Sequence, residues 1–148
     1  MKALRLPPGN FRVKNTEKGR LIFDPVRKKF VFLQPEEWVR QHIIHWLVEF
    51  KKTPINLINV EKQLVVAGTS KRYDIVVFKP DGSIEVIVEC KAPHISIDQK
   101  VFDQIARYNL AVHSKFLMVS NGMEHYFCTM DYINQRYDFI TDLPEYQL

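Results

Sequence analysis

Residues Lys71–Lys91 (KRYDIVVFKPDGSIEVIVECK) constrain the fold of this 148-residue chain more than any other stretch. Two apolar runs flank a turn-forming sequence, with Asp74 before the first run and Glu89 and Lys91 after the second. Side chains alternate between the faces of a strand, so Glu89 and Lys91 point one way and Cys90 points the other. Carboxylates and lysines are rarely buried unless they are paired or bind a metal. The stretch therefore predicts two paired strands with a cluster of charged side chains at one end, and this cluster is expected to have a functional role.

The turn at Lys79–Ser83 decides which residues of the two strands face each other. A loop of two or four residues places Asp74 directly opposite Glu89, on one face of the sheet. A loop of three residues places Asp74 opposite Val88, on the wrong face. A shared site for the two carboxylates requires the first arrangement, or a β-bulge that restores it.

A helix is predicted before this hairpin, from Pro35 to about Lys52. Proline is favoured at the first helical position, and Pro54 ends the pattern. The apolar residues recur at helical spacing, which places Glu36 on the buried stripe and Glu37 nearer its rim. The alternative is that both glutamates are solvated and only complement the helix dipole.

A second helix is predicted after the hairpin, from Ile97 to Leu110. Ser96 followed three residues later by Gln99 is a capping-box signal. Gln104 and Tyr108 are four residues apart and therefore adjacent on one helix face. The alternative is a helix that only packs on the sheet, with Tyr108 in the core.

These elements predict an α/β fold, with a central mixed sheet of about four to five strands and one helix on each face. Residues 1–20 are expected to form an extended basic arm and residues 21–148 a single domain. Leu21–Phe23 and Phe30–Leu33 predict an added N-terminal β-hairpin, and Gly68–Arg72 is expected to be a loop. No apolar run approaches the ~20 residues that a membrane span needs. Two cysteines without an export signal indicate reduced thiols in the cytoplasm.

The positive charge is concentrated near the N-terminus. The chain carries a formal charge of +4, and its first 40 residues hold ten Lys or Arg against four acids. An uneven basic surface suits phosphate backbones, although a solvated lysine-rich segment is the alternative. The cations that we assign to nucleic-acid contacts are Arg27, Lys28, Lys29, Arg40, Lys71 and Arg72.

Five segments occur in an order that resembles the N-terminal nuclease domain of type I restriction endonuclease R subunits, within the PD-(D/E)xK nuclease superfamily. The segments are Pro35–Gln41, Arg72–Val77, Glu89–Pro93, Gln104–Asn109 and Ser120–Gly122. The resemblance implies a restriction-endonuclease-like core with the element order α-β-β-β-α-β. It also implies an endonuclease that hydrolyses DNA with Mg²⁺, or with Mn²⁺ in its place.

The resemblance assigns roles to individual residues. Asp74, Glu89 and the backbone carbonyl of Cys90 are expected to bind the metal, and Lys91 to act on the attacking water or the phosphate. Members of the superfamily often bring a glutamate from the first helix beside the metal, here Glu36 by preference and Glu37 as the close second. Gln104 and Tyr108 match a QxxxY element expected to point over the metal or toward the nucleic acid.

Other chemistries fit the residues less well. His42 and His45 lack a third ligand at zinc spacing, and Cys90 points away from the charged residues. Gly68–Arg72 lacks the P-loop pattern, so a separate motor or specificity protein is an expected partner beside DNA, and a homodimer is a further option. The alternative function is a non-cleaving module of nuclease-like fold that binds nucleic acid or a partner protein.

Overall fold

The computed structural model describes residues 1–148 and begins with a small antiparallel sheet. Its strands are Val13–Thr16 (β1), Gly19–Asp24 (β2) and Lys29–Phe32 (β3), in the order β1-β2-β3. The predicted N-terminal hairpin is therefore one strand short, because β1 pairs with β2. Within the predicted basic arm, Leu4 and Leu6 also pack against the main core.

The main part of the chain forms two helices and a six-stranded mixed sheet. The elements are α1 (Pro35–Phe50), β4 (Ile58–Val66), β5 (Thr69–Phe78), β6 (Ile84–Cys90), α2 (Gln99–Asn109), β7 (Ser114–Ser120), β8 (His125–Asp131) and β9 (Arg136–Ile140). The strands lie in chain order, and β6 with β7 is the one parallel pair. The predicted α/β class with a mixed sheet and two helices is confirmed, with six strands rather than four to five. Neither helix is long and apolar enough to cross a membrane.

The two helices cover opposite faces of the sheet. Val39, Ile43 and Leu47 of α1 pack in one buried cluster with β-strand residues such as Ile75 and Val88. Phe102, Ala106 and other residues of α2 pack in a second cluster on the opposite face. Burying a large apolar side chain contributes roughly 1.5–3 kcal/mol, so these clusters hold the sheet between the helices.

The helix starts differ in how well the sequence predicts them. α1 begins at Pro35, as predicted. α2 begins at Gln99 rather than Ile97, because the carboxylate of Asp98 accepts a hydrogen bond from the Val101 N–H at 2.8 Å. The predicted capping box of Ser96 and Gln99 is therefore wrong; Asp98 caps the helix instead.

The register of β5 and β6 depends on a bulge. The bridged pairs are Ile75 with Val88 and Val77 with Val86, but Phe78 pairs with Ile84, so Glu85 is an extra residue. The register of the turn alone would place Asp74 opposite Val88. The bulge at Glu85 shifts the pairing by one residue, so the register of Ile75 with Val88, continued by one residue, brings Asp74 level with Glu89. This is the second of the two arrangements that a shared site requires.

Candidate active site

β5 and β6 stop pairing where the charged residues begin. Their last bridged pair is Ile75 with Val88. Beyond it, the backbone N–H of Cys90 donates to Oδ2 of Asp74 at 2.7 Å instead of to a strand neighbour. The Asp74 carboxylate therefore stands between two diverging strand ends, next to the residue that separates Glu89 from Lys91.

A buried arginine from α1 holds the other oxygen of Asp74. Arg40 is 5% exposed, and its guanidinium donates to Oδ1 of Asp74 at 3.3 Å and to Oε1 of Glu37 at 2.8 Å. Burial opposes the charged form, but Glu37 and Asp74 outweigh it and raise the pKa of Arg40. Arg40 was predicted to contact phosphate, whereas in the structure its guanidinium is buried and bound to two carboxylates.

Glu37 is the centre of this network. It accepts hydrogen bonds from Arg27 at 2.8 Å, from Arg40 at 2.8 Å and from Gln41 at 3.1 Å. Arg27 also pairs with Asp24 at 2.5 Å. The chain of contacts from Arg27 through Glu37 and Arg40 ties the small N-terminal sheet to the site.

The network corrects a second predicted nucleic-acid contact. Arg27 is largely buried, and its third ion pair, with Glu61, measures 3.4 Å. Its guanidinium is thus shared among three carboxylates rather than free for phosphate. Lys28 in the β2–β3 turn and Lys29 at the start of β3 are exposed. The sequence signal that could have found part of the network is the i, i+3 spacing of Glu37 and Arg40.

The predicted burial of the two helix glutamates is reversed. Glu37 is buried, whereas the side chain of Glu36 is 48% exposed. Burial and the charge of Asp74 raise the pKa of Glu36, while Arg40 and Lys91 oppose the rise. Glu36 therefore lies within electrostatic reach of the site, and Glu37 has its oxygens occupied by structural contacts.

Glu89 is largely buried and lies close to a second carboxylate, that of Asp74. Burial raises its pKa, and the neighbouring Asp74 raises it further. Lys71 partly offsets this, donating to Oε1 of Glu89 at 3.2 Å, and the charge of Lys91 acts in the same direction. The ionised form of Glu89 is thus disfavoured by its surroundings despite two nearby lysines.

Lys71 belongs to the site and not to an outer basic surface. Its ammonium lies 4.0 Å from the ring centroid of Tyr108 and 4.8 Å from that of Tyr73. Tyr108 is 49% exposed, so it is not the core residue that the alternative interpretation of α2 requires. Gln104, one turn before it, is exposed as well. Lys71 was predicted to contact nucleic acid, and its ammonium is instead paired with Glu89.

Lys91 is the lysine of the site without a paired carboxylate. Its backbone N–H donates to the carbonyl of Ser120 at 2.8 Å, which fixes the start of the segment after β6. Its ammonium forms no ion pair within 4.0 Å, yet its charge opposes the rise in the pKa values of Glu36 and Glu89. A free ammonium beside two carboxylates can interact with a bound anion.

The Cys90 thiol takes no part in this chemistry. It is buried in the cluster beneath α1, and burial together with Asp74 raises its pKa well above the ordinary thiol value. A neutral thiol is neither a good nucleophile nor a metal ligand. The backbone of Cys90, rather than its side chain, is the part that faces Asp74.

The carboxylates suit a hard cation. No group of three or more His, Cys, Asp and Glu side chains is arranged to hold a metal ion. Asp74 and Glu89 supply two carboxylates, and each carboxylate has about four lone-pair positions, so their existing hydrogen bonds leave room for a ligand. Oxygen ligands completed by backbone carbonyl and water fit Mg²⁺ better than zinc.

Comparison with known families gives one match. A family model described as the type I restriction enzyme R protein N terminus matches residues 35–144. The matched range begins at the first residue of α1 and includes Asp74, Glu89 and Lys91, whereas Arg27 lies before it. No curated protein sequence matches the chain.

Proposed function

Because this chain belongs to the family of type I restriction enzyme R protein N termini, we propose that it is a Mg²⁺-dependent nuclease that hydrolyses DNA phosphodiester bonds. The observation that carries the proposal is the bulge-corrected register, which sets Asp74 opposite Glu89 with the unpaired Lys91 two residues further on. The bulge lies near the turn, and it sets the register of the whole pair up to the strand ends where the charged residues lie. The restriction-endonuclease-like core and the PD-(D/E)xK assignment are parts of this proposal.

Asp74, Glu89 and the backbone carbonyl of Cys90 would hold Mg²⁺, or Mn²⁺ in its place. Bound there, the metal would lower the pKa of a coordinated water and neutralise a phosphate oxygen. Arg40 and the Cys90 N–H hold both oxygens of Asp74, so its carboxylate is oriented before any ligand arrives. Such preorganisation reduces the cost of ordering the site at the moment of reaction.

Lys91 is the residue that we assign to the transition state. Its ammonium has no carboxylate partner within 4.0 Å and can donate to the phosphate oxygens as their charge grows. Glu36 lies near Asp74 and Lys91 and is half-exposed, which suits contact with a water. Gln104 and Tyr108 are exposed on α2 and are proposed to contact the nucleic acid.

Cleavage of plasmid DNA in Mg²⁺, with an EDTA control, tests the proposal. We expect Lys91→Ala to lose cleavage and to keep its affinity for DNA, because Lys91 acts on the transition state whereas surface cations provide affinity. Lys115→Ala is the matched control, since this exposed lysine lies at the opposite end of the sheet. A Lys91→Ala protein that cuts at the wild-type rate would show that Lys91 is structural.

A non-cleaving binding module is the second candidate. The observation that favours it is that Arg40 and Lys71 already offset the charges of Asp74 and Glu89 without a metal. The two functions differ in their response to metal. If the protein is a nuclease with a metal site, Mg²⁺ at a concentration one hundred times its dissociation constant should stabilise the fold by about 2.7 kcal/mol. A melting temperature indifferent to millimolar Mg²⁺ and Mn²⁺ would favour the module.

The proposed setting follows from the same reasoning. DNA is the proposed substrate, and a separate motor or specificity protein is the proposed partner, with a homodimer as the other arrangement that could cut both strands. The cytoplasm is the proposed location. Lys28, Lys29 and Arg72 are exposed cations and remain assigned to phosphate contacts.

A further inference from the structure

The hairpin of β4 and β5 extends past the carboxylates. The part of β5 before Ile75 has no bridges to β6, so Thr69–Tyr73 pairs with β4 alone. The predicted loop at Gly68–Arg72 is thus wrong, since β5 begins at Thr69. Ala67 and Gly68, with φ of 51° and 78°, close the hairpin in the two-residue turn whose twist matches paired strands.

One face of this extension is anchored to the protein. Leu64 and Val66 pack against the cluster beneath α2, and Tyr73 is buried in that cluster. Lys71, directly opposite Leu64, lies over Tyr108 of α2 and pairs with Glu89. The extension is therefore held in a defined position relative to the two carboxylates.

The other face is free. Gln63 pairs across the hairpin with Arg72, and Val65 pairs with Ser70, so these four side chains share one face. All four are exposed, and Val65 is 74% exposed. We call these four residues the ribbon face. Lys62 pairs with Tyr73 on the other face, where its side chain is exposed at the edge of β4.

The charge of the extension has one sign. From Lys62 to Tyr73 it holds three cations and no acid. Lys71 is paired with Glu89, whereas Lys62 and Arg72 form no ion pair within 4.0 Å. A DNA major groove about 12 Å wide admits a two-stranded ribbon. Unpaired cations on such a ribbon can contact the phosphates that border the groove.

We propose that the ribbon face is a contact surface for duplex DNA beside the site, with Arg72 on a phosphate and Gln63 and Ser70 as hydrogen-bonding groups, and that the exposed Lys62 contacts a further phosphate from the edge of β4. This rests on the proposed nuclease function and adds to it where the substrate lies. A strand rises about 3.3 Å per residue, so Arg72 lies about 7 Å along β5 from Asp74.

The test is the salt dependence of duplex binding, measured by fluorescence anisotropy in EDTA so that no cleavage occurs. Each phosphate contact contributes about 0.9 to the slope of log affinity against log salt. We expect K62A/R72A to reduce the slope by about 1.8 and Arg72→Gln alone to reduce it by about 0.9. The control K115A/R136A removes two exposed cations from the opposite end of the sheet and should leave the slope unchanged.

The outcomes separate the two proposals. A wild-type protein that binds and cuts DNA, with a slope that K62A/R72A leaves unchanged, overturns the ribbon face and leaves the nuclease function standing. A wild-type protein that neither binds nor cuts DNA overturns both. A reduced slope for single-stranded RNA but not for duplex DNA overturns the duplex assignment. The single variant Arg72→Gln gives its own answer if the double variant unfolds.

Discussion

Replacing Arg40 by methionine tests how the site is held together. The guanidinium is buried, and it binds Glu37 at 2.8 Å and Asp74 at 3.3 Å. Removing one partner of a buried ion pair typically costs about 3–5 kcal/mol, because the remaining charge stays buried without its counter-charge. Glu37 retains Arg27 and Gln41, so we expect the lower end, about 3 kcal/mol.

Urea unfolding of the metal-free protein at pH 7 measures this loss. For a domain with a denaturant slope of about 2 kcal/mol/M, a loss of 3 kcal/mol lowers the midpoint by roughly 1.5 M. Arg72→Met is the matched control, because the same substitution at an exposed arginine should change the free energy of unfolding by about 0.5 kcal/mol or less. An Arg40→Met midpoint equal to that of the control would refute the structural role of the network.

A double-mutant cycle separates the two contacts of Arg40. If Arg40 holds Asp74 directly, Arg40→Met and Asp74→Asn should couple by an amount within the range of about 0.5–3 kcal/mol that contacting residues show. If Arg40 acts only through Glu37, the effects of the two substitutions should add. Additive values in the same urea experiment would remove Arg40 as the residue that orients Asp74.

Four further substitutions distinguish the roles of three carboxylates and of Lys71. The pKa of Glu89 is raised in the folded state, so ionised Glu89 destabilises the metal-free protein above that pKa. Glu89→Gln should therefore melt at a higher temperature than wild type at pH 7. This gain in melting temperature should vanish as the pH falls below the ordinary carboxyl pKa of 4.5. A variant that melts lower at pH 7 contradicts this. In urea unfolding, Glu37→Gln should lower the free energy of unfolding by about 2–3 kcal/mol, because the charged hydrogen bonds of Glu37 are buried. Glu36→Gln should change it by about 0.5 kcal/mol or less, since Glu36 is half-exposed. Equal unfolding midpoints would contradict the difference in the roles of the two glutamates. Lys71→Met should bind Mn²⁺ up to about fivefold more tightly in an electron paramagnetic resonance titration, since a partly exposed ion pair contributes about 0.2–1 kcal/mol against the competing metal. Unchanged or weaker binding would argue against competition between Lys71 and a metal at Glu89.

The elements that depend on local pattern could be predicted from the sequence. The start of α1 at Pro35 and the two strands around Lys79–Ser83 follow from residue preferences and apolar runs, which act within a few neighbours. The requirement for a bulge could be stated, because a three-residue loop is incompatible with a shared site. That the bulge lies at Glu85 could not be predicted, since the register reflects packing on both faces of the sheet.

The burial of α1 could not be predicted because helical periodicity describes one covered face. In the structure Glu37, Gln41 and His42 are buried as well as the apolar stripe. The small sheet contributes Arg27 to Glu37, and Phe11 packs against His42 with ring centroids 4.5 Å apart. A second covering layer from the N-terminal segment thus reverses the order of burial that the spacing of Glu36 and Glu37 indicates.

Three cations lie near two carboxylates, and their different contacts explain why their roles cannot be exchanged. Two of the cations lie against a carboxylate: Arg40 is 3.3 Å from Asp74, and Lys71 is 3.2 Å from Glu89. Lys91 acts on Glu89 electrostatically without such a contact. Forming an ion pair would lower the energy of its ammonium, so the absence of a pair within 4.0 Å keeps its donors available for an incoming phosphate. The contacts, rather than the count of charges, therefore assign orientation to Arg40, neutralisation to Lys71 and the proposed catalytic role to Lys91.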